Sequence, residues 1–177
     1  RIARIVGIGY HHHIVQRGNN REKIFYDDED KEEYLKLLRK YSKECKCTIN
    51  AYCLMNHHVH LLLIPQNNNS LAKNMQKLSL RYTQYINKKY GRTGRLWECR
   101  YHSSIVEKEN YLQLVCRYIE INPVRAKIVN SPTEYIWSSA KINAFLEKNE
   151  LVEPIWQRFI EKEEYIDLLN QPDNEND

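Results

Sequence analysis

Four consecutive apolar residues, Leu61 to Ile64, directly follow His58-Val59-His60. Side chains alternate between the two faces of a strand, so a run that is apolar at every position belongs to a central strand covered on both sides. The same alternation puts His58 and His60 on one face, within reach of a common point, while His57 and Val59 face the other way. Two imidazoles at the end of such a strand are costly unless they are hydrogen-bonded or bind a metal. H-x-H is a short string, and a pair of satisfied, half-exposed histidines near a turn is the competing reading.

The neighbouring segments fall into place around that strand. Thr48–Met55 and His58–Ile64 are β-rich runs joined by a tight connection at Asn56 and closed by Pro65 and Asn67–Asn69, which predicts an antiparallel hairpin. Tyr10–Gln16 reads as a first strand, followed by a polar turn over Arg17–Asn20. From Asp28 to about Cys45, Tyr34, Leu37, Leu38 and Tyr41 recur at spacings of three and four, the mark of an amphipathic helix. A second helix over Leu71–Tyr90 gathers Leu71, Met75, Leu78, Tyr82 and Tyr85 in one sector. Lys73, Lys77, Arg81 and Lys88 form a basic stripe about 130° away, which suits a solvated face and a phosphate-tracking face equally. Gly91–Gly94 breaks this helix, Tyr101–Val106 predicts a fourth strand, and a third helix runs from about Lys108 to Asn122, where Pro123 ends or kinks it.

Strand, helix, strand, strand, helix, strand is the ferredoxin-like plan, so the fold class is α+β: an antiparallel sheet with helices on one face, plus an added third helix. Tyr135–Trp137 reads as a loop and Glu153–Leu169 as a terminal helix, with Trp156, Phe159 and Ile160 packing on the body. The organisation expected is one domain over 1–146 and a helical extension over 147–177 whose acidic tail, Gln171–Asp177, is disordered.

Length and composition limit the function classes. The 177 residues suit one domain with an appendage, and no stretch approaches the apolar length needed to cross a bilayer. Five cysteines, odd in number and never spaced C-x-x-C, support neither a disulfide framework nor a zinc ribbon, and no basic-then-apolar leader is seen, so a cytoplasmic setting is expected. The formal charge of +4 is mild, but the acidic tail leaves a more basic body, which leans toward a polyanionic partner. Thirteen tyrosines suit base stacking as well as half-buried core positions.

In the third helix, Tyr111, Val115, Tyr118 and Asn122 fall within about 40° of one another, inside an arc that also holds Leu112, Leu114, Ile119 and Ile121. Tyr118 and Asn122 are thus neighbours at i and i+4. An amide centred on an apolar face needs a partner, which the turn at Pro123 could also supply.

These residues together resemble a known family. His58-Val59-His60, in the context Ala51-Tyr52-Cys53-Leu54-Met55-Asn56-His57-His58-Val59-His60-Leu61-Leu62, is similar to the HUH motif of the single-tyrosine transposases. Arg117-Tyr118-Ile119-Glu120-Ile121-Asn122-Pro123-Val124-Arg125-Ala126 resembles the tyrosine helix of the REP-associated tyrosine transposases. Gln16-Arg17-Gly18-Asn19, Arg81-Tyr82-Thr83, Gly94-Arg95-Leu96-Trp97, Arg100-Tyr101 and Tyr135-Ile136-Trp137-Ser138-Ser139 follow the same pattern in order. The chain departs from it at Asn56-His57, where the family usually has Pro-Asn.

The resemblance implies a metal-dependent endonuclease and strand transferase acting on single-stranded or hairpin DNA. Tyr118 would be the nucleophile, leaving a 5′-phosphotyrosine link and a free 3′-hydroxyl. His58, His60 and Asn122 would hold one divalent cation, Mg²⁺ or Mn²⁺. The DNA-facing set would be Arg17, Gly18, Asn19, Arg21, Lys23, Lys73, Lys77, Arg81, Arg95, Arg100 and Arg125. The protein would be DNA-associated, as a monomer or a homodimer. From the residues alone, two other classes stay open: a non-catalytic single-strand-binding module that stacks bases on sheet tyrosines, and a zinc hydrolase, which lacks a nearby Asp or Glu ligand in the strand.

Overall fold

A computed structural model describes residues 6–107, 109–145, 147, 149–154 and 161–172, with the backbone only at 109 and 110. Trp156, Phe159, Ile160, Lys108 and residues 173–177 of the acidic tail lie outside the described residues. Strands β1 (His11–Arg17), β2 (Cys47–Met55), β3 (His58–Pro65) and β4 (His102–Val106) form one sheet in the order β2-β3-β1-β4, each neighbouring pair antiparallel. This is the ferredoxin-like order. Helices α1 (Asp28–Glu44) and α2 (Ser70–Lys89) cover one face, and α3 (Glu109–Glu120) covers part of the other.

Strand β3 holds an inner position, and its apolar run divides between two cores. Val59, Leu61 and Leu63 join Ile14, Leu38, Leu78 and Tyr82 on the α1/α2 side, while Leu62 joins Cys53, Leu112, Cys116 and Ile119 beneath α3. Polar residues on the α1/α2 side of β1 are individually satisfied: His12 meets Ser103 Oγ at 3.0 Å, and Gln16 accepts a bond from Ser79 Oγ at 3.0 Å. Seven of the tyrosines, Tyr34, Tyr41, Tyr52, Tyr82, Tyr101, Tyr135 and Tyr165, are buried.

The start of α1 is tied to the end of α2. Asp27 caps α1 in a capping box with Asp30, and Lys89 bonds Asp27, Glu29 and Asp30 while the Tyr90 hydroxyl donates to Asp27 and Asp30. The Lys89 hydrogen bond is the main reason the Asp27 carboxyl titrates at about 2 rather than 3.8. The folded protein therefore binds fewer protons than the unfolded chain between these values, and stability falls as pH drops from about 4 to 2. Asp27→Asn should flatten that acid limb; a urea midpoint as steep in pH as the wild type would contradict it.

The outer edge of β2 is occupied rather than open. Leu54 N donates to Trp137 O at 2.9 Å, Ser139 N to Tyr52 O at 3.0 Å and Glu153 N to Ile49 O at 2.8 Å. Asn50, at an irregularity between Ile49 and Ala51, donates to Glu153 O and accepts from Asn143 Nδ2. Two short helices were not foreseen from the sequence: α4 (Asn122–Arg125) and α5 (Ala140–Phe145). Pro123 sits in the first turn of α4, where a missing N–H costs nothing, so it begins a helix as well as ending one. Helix α6 (Lys162–Asn170) docks on α3, with Arg117 donating to Leu168 O at 2.7 Å and Gln171 O at 2.6 Å.

No helix of the described residues is long and apolar enough to cross a membrane.

Candidate active site

Antiparallel pairing of β1 with β3 sets Val15 opposite His60 and Arg17 opposite His58. His13, Val15 and Arg17 therefore share with His58 and His60 the sheet face that α3 flanks. His58 and His60 lie with ring centroids 4.9 Å apart and nearly perpendicular planes. His13 stacks on His60 at 5.3 Å, with its Nε2 3.0 Å from His60 Nδ1, so one proton is shared between the two rings and His60 Nε2 is left for another partner. Sequence reasoning missed His13. Its signal was the run His11-His12-His13, but which of the three faces His60 depends on a cross-strand register that one strand does not encode.

Tyr118 approaches from α3. Its ring lies edge-on to His60 at 5.8 Å and to His13 at 5.9 Å, and the Arg125 guanidinium sits 5.4 Å from its centroid. The buried stripe of α3 is Leu112, Cys116, Ile119 and Glu120, whereas Tyr111 and Leu114 are half-exposed and Tyr118 is 40% exposed. The arc inferred from the sequence is thus centred too far round. Tyr118 stands at the rim of the buried face, the position a side chain needs to meet both the histidines and solvent. Asn122 Nδ2 donates to Tyr118 O at 2.6 Å and Ile119 O at 3.3 Å, so carbonyls of the preceding turn satisfy its nitrogen and leave Oδ1.

The donor set suits a divalent cation. Burial, the largest cause, pushes His60 down to about 3 and His13 to about 4, and lowers His58, which also faces Arg17; all three imidazoles are neutral near pH 7, the form that binds metal. Among the described residues, no three of His, Cys, Asp and Glu group at metal-holding distance.

The basic residues are spread over several places. Arg17 and Arg21 line, with His57 and His58, a depression of about 490 Å³ at the open end of the histidine pair. Their loop is tightly built: a Cβ on Gly18 would fall 2.3 Å from Glu22 O, and Asn20 and Arg21 both hold left-handed φ values, 51° and 58°, which cost non-glycine residues about 1 kcal/mol each. Asn19 N donates to Leu96 O at 2.9 Å. Arg95 and Arg100 line a separate cavity of about 890 Å³ with Gln16, Gln76 and Trp97. Lys73, Lys77 and Arg81 belong to α2, across the sheet from the histidines, where Lys77 pairs with Glu44 and Arg81 bonds Gln84. Lys23 is exposed, and Arg125 stacks on Tyr118.

Fold and site together define a class: a ferredoxin-like sheet whose inner strand opens with an H-x-H pair, faced by a tyrosine on an added helix. The family described as "Transposase IS200 like" matches residues 8–122, and the chain belongs to that family. A solved structure of the REP-associated tyrosine transposase bound to a REP hairpin is similar over 85% of this chain and 88% of that one, at 16% identity and a TM-score of 0.69. A candidate transposase from Deinococcus radiodurans R1 shares 21% identity, covering 68% of this chain and 95% of that chain, with a TM-score of 0.46. No curated protein sequence matches the chain.

Proposed function

We propose that this transposase cuts and rejoins single-stranded DNA at hairpins or repeats, using Tyr118 as the nucleophile. The observation that carries the reading is the placement of the Tyr118 ring, edge-on to His60 at 5.8 Å while still reached by solvent. His58, His60 and Asn122 Oδ1 would hold one divalent cation, Mg²⁺ or Mn²⁺, which when bound supplies charge to polarise the scissile phosphate. The protein's own groups do the rest. The Tyr118 oxygen forms a bond to phosphorus as the bond to the 3′ oxygen breaks, giving a 5′-phosphotyrosine and a 3′-hydroxyl. Arg125, stacked on the ring, fixes its orientation and brings positive charge beside the phosphate. The phosphotyrosine link retains the phosphoester, so a 3′-hydroxyl can attack it and restore or exchange the strand. Hairpin DNA is favoured because the REP-associated structural relative is bound to a REP hairpin.

A single-strand-binding module would need a sheet face open to bases. Here α1 and α2 cover one face, α3 flanks the other, and Tyr52 and Tyr101 are buried, which favours the enzyme.

The test is a denaturing gel of the protein incubated with a diverse single-stranded DNA pool labelled at the 3′ ends, since the tyrosine keeps the downstream fragment. A protein-sized labelled band is expected with Mn²⁺ or Mg²⁺ and not with EDTA. Retention of the pool without any such band would sink the reading.

A further inference from the structure

We propose that Arg17, Arg21 and His57 form a phosphate-binding subsite for the leaving strand, the DNA segment upstream of the cut that ends in the new 3′-hydroxyl. The assignment rests on Tyr118 as the attacking group. Along the face shared by β1 and β3, the groups stand in a fixed order. Tyr118 contacts His13 and His60, His58 follows at 4.9 Å from His60, and Arg17 lies opposite His58 at the far end. Arg17 stands four positions along β1 from His13, about 13 Å at the rise of a strand. In phosphoryl transfer the attacking and leaving oxygens are roughly in line through phosphorus. With the scissile phosphate at the histidines and Tyr118 on one side, the 3′ oxygen and its strand depart on the other, toward Arg17 and Arg21.

The subsite is built for an anion from outside the chain. Lys77, Lys89 and Arg92 have carboxylate partners, but the guanidiniums of Arg17 and Arg21 make no side-chain hydrogen bond or ion pair among the described residues. Both are exposed and share one depression with His57 and His58. Two segments are latched together to bring them there: Gly18 N donates to His57 O at 2.8 Å and Ile24 N to Asn56 O at 2.8 Å, which ties the loop carrying Arg21 to the turn carrying His57. The backbone that carries these donors is thus fixed in place, and only the side chains remain to be ordered on a phosphate.

The function of such a subsite follows from the chemistry. When Tyr118 Oη bonds to phosphorus and the P–O3′ bond breaks, the phenolic proton passes to solvent water and the 3′ oxygen takes one up from it. Reversal needs that hydroxyl close to the phosphotyrosine. Arg17, Arg21 and His57 retain the upstream strand, and so set the balance between rejoining and release.

Two readouts test this on the full chain, comparing wild type, Arg21→Gln and Arg17→Gln/Arg21→Gln, with Lys43→Gln on α1 as a control. The first is fluorescence anisotropy of a labelled random-sequence single-stranded 20-mer in EDTA, titrated with KCl. The slope of log K against log[KCl] should shrink by about 0.7 for each phosphate no longer neutralised and stay unchanged in the control. The second is the plateau yield of labelled adduct from the 3′-labelled pool, which should rise severalfold in the double variant because the upstream strand escapes before rejoining. Unchanged slopes, with adduct formed by the wild type, overturn the subsite alone. Smaller slopes with a lower adduct plateau overturn the leaving-strand assignment, because the strand held is then the downstream one. No adduct in the wild type, with smaller slopes in the variants, overturns the Tyr118 reading and the leaving-strand role together.

Discussion

Tyr118→Phe is expected to abolish the metal-dependent covalent adduct, with a fall of at least about 10³-fold, the scale on which loss of a nucleophile acts in other enzymes. Retention of single-stranded DNA should stay within about twofold. The expectation is sharp because the substitution removes one oxygen and little else. The phenyl ring keeps the edge-on contacts to His13 and His60 and the stack under Arg125. At 40% exposure, Tyr118 is not a core residue whose loss would unfold α3. Tyr111→Phe, on the same helix and 57% exposed, is the matched control and should cleave like the wild type. An adduct that persists in Tyr118→Phe would show that another residue attacks.

Glu120→Ala should destabilise the protein by about 3–5 kcal/mol, the combined cost of a buried cavity and of several buried donors left without an acceptor, or about 10 °C in melting temperature at this chain length. Glu120 is fully buried, and burial pushes its carboxyl up to about 7. It accepts bonds from Ser139 Oγ at 2.5 Å, Asn143 Nδ2 at 2.6 Å and Tyr165 Oη at 2.6 Å, so one side chain of α3 holds α5, α6 and the segment between α4 and α5. Alanine leaves those donors facing a void. The local consequence can be read chemically. Cys116 lies beneath α6, with its sulfur 3.0 Å from Tyr165 Oη and no exposure, whereas Cys99 is exposed. In native buffer the variant should gain a slowly reacting thiol at Cys116, while Cys47, buried in the core on the α1/α2 side, stays protected. Simultaneous reaction of both would mean that the whole domain opens, not that α6 undocks.

The layout of the sheet was legible because local signals agreed with the tertiary demand. The unbroken apolar run Leu61–Ile64 marked an inner strand, and the spacing of Tyr34, Leu37, Leu38 and Tyr41 marked the buried side of α1. Bounds of the four strands and of α1 to α3 moved by only a residue or two, as at β1, which begins at His11, whereas the terminal helix expected from Glu153 is described as α6 from Lys162, with Glu153 and Pro154 outside any helix. What failed to show was whatever depends on a partner distant in sequence. His13 joins His60 only through the β1–β3 register, and the attachment of 137–139 and 152–153 to the edge of β2 is made by backbone groups that no composition signals. Helical periodicity found the basic stripe of α2 but could not say which layer α2 occupies; the stripe lies across the sheet from the histidines, with Lys77 beside Glu44. The face of α3 was misjudged for a related reason. Tyr111 and Leu114 count as apolar on a wheel, while the space beneath the helix is filled by Cys116 and Glu120.

The occupied edge of β2 has a consequence for self-association. A sheet grows by hydrogen bonding at an exposed strand, and here one of its two borders is already bonded to the chain's own later segments. Among the described residues only β4 offers an unfilled border, five residues long. Two copies that joined through a continuous sheet would have to meet there, β4 against β4, which would set their histidine pairs on separate halves of an eight-stranded sheet rather than at a shared seam.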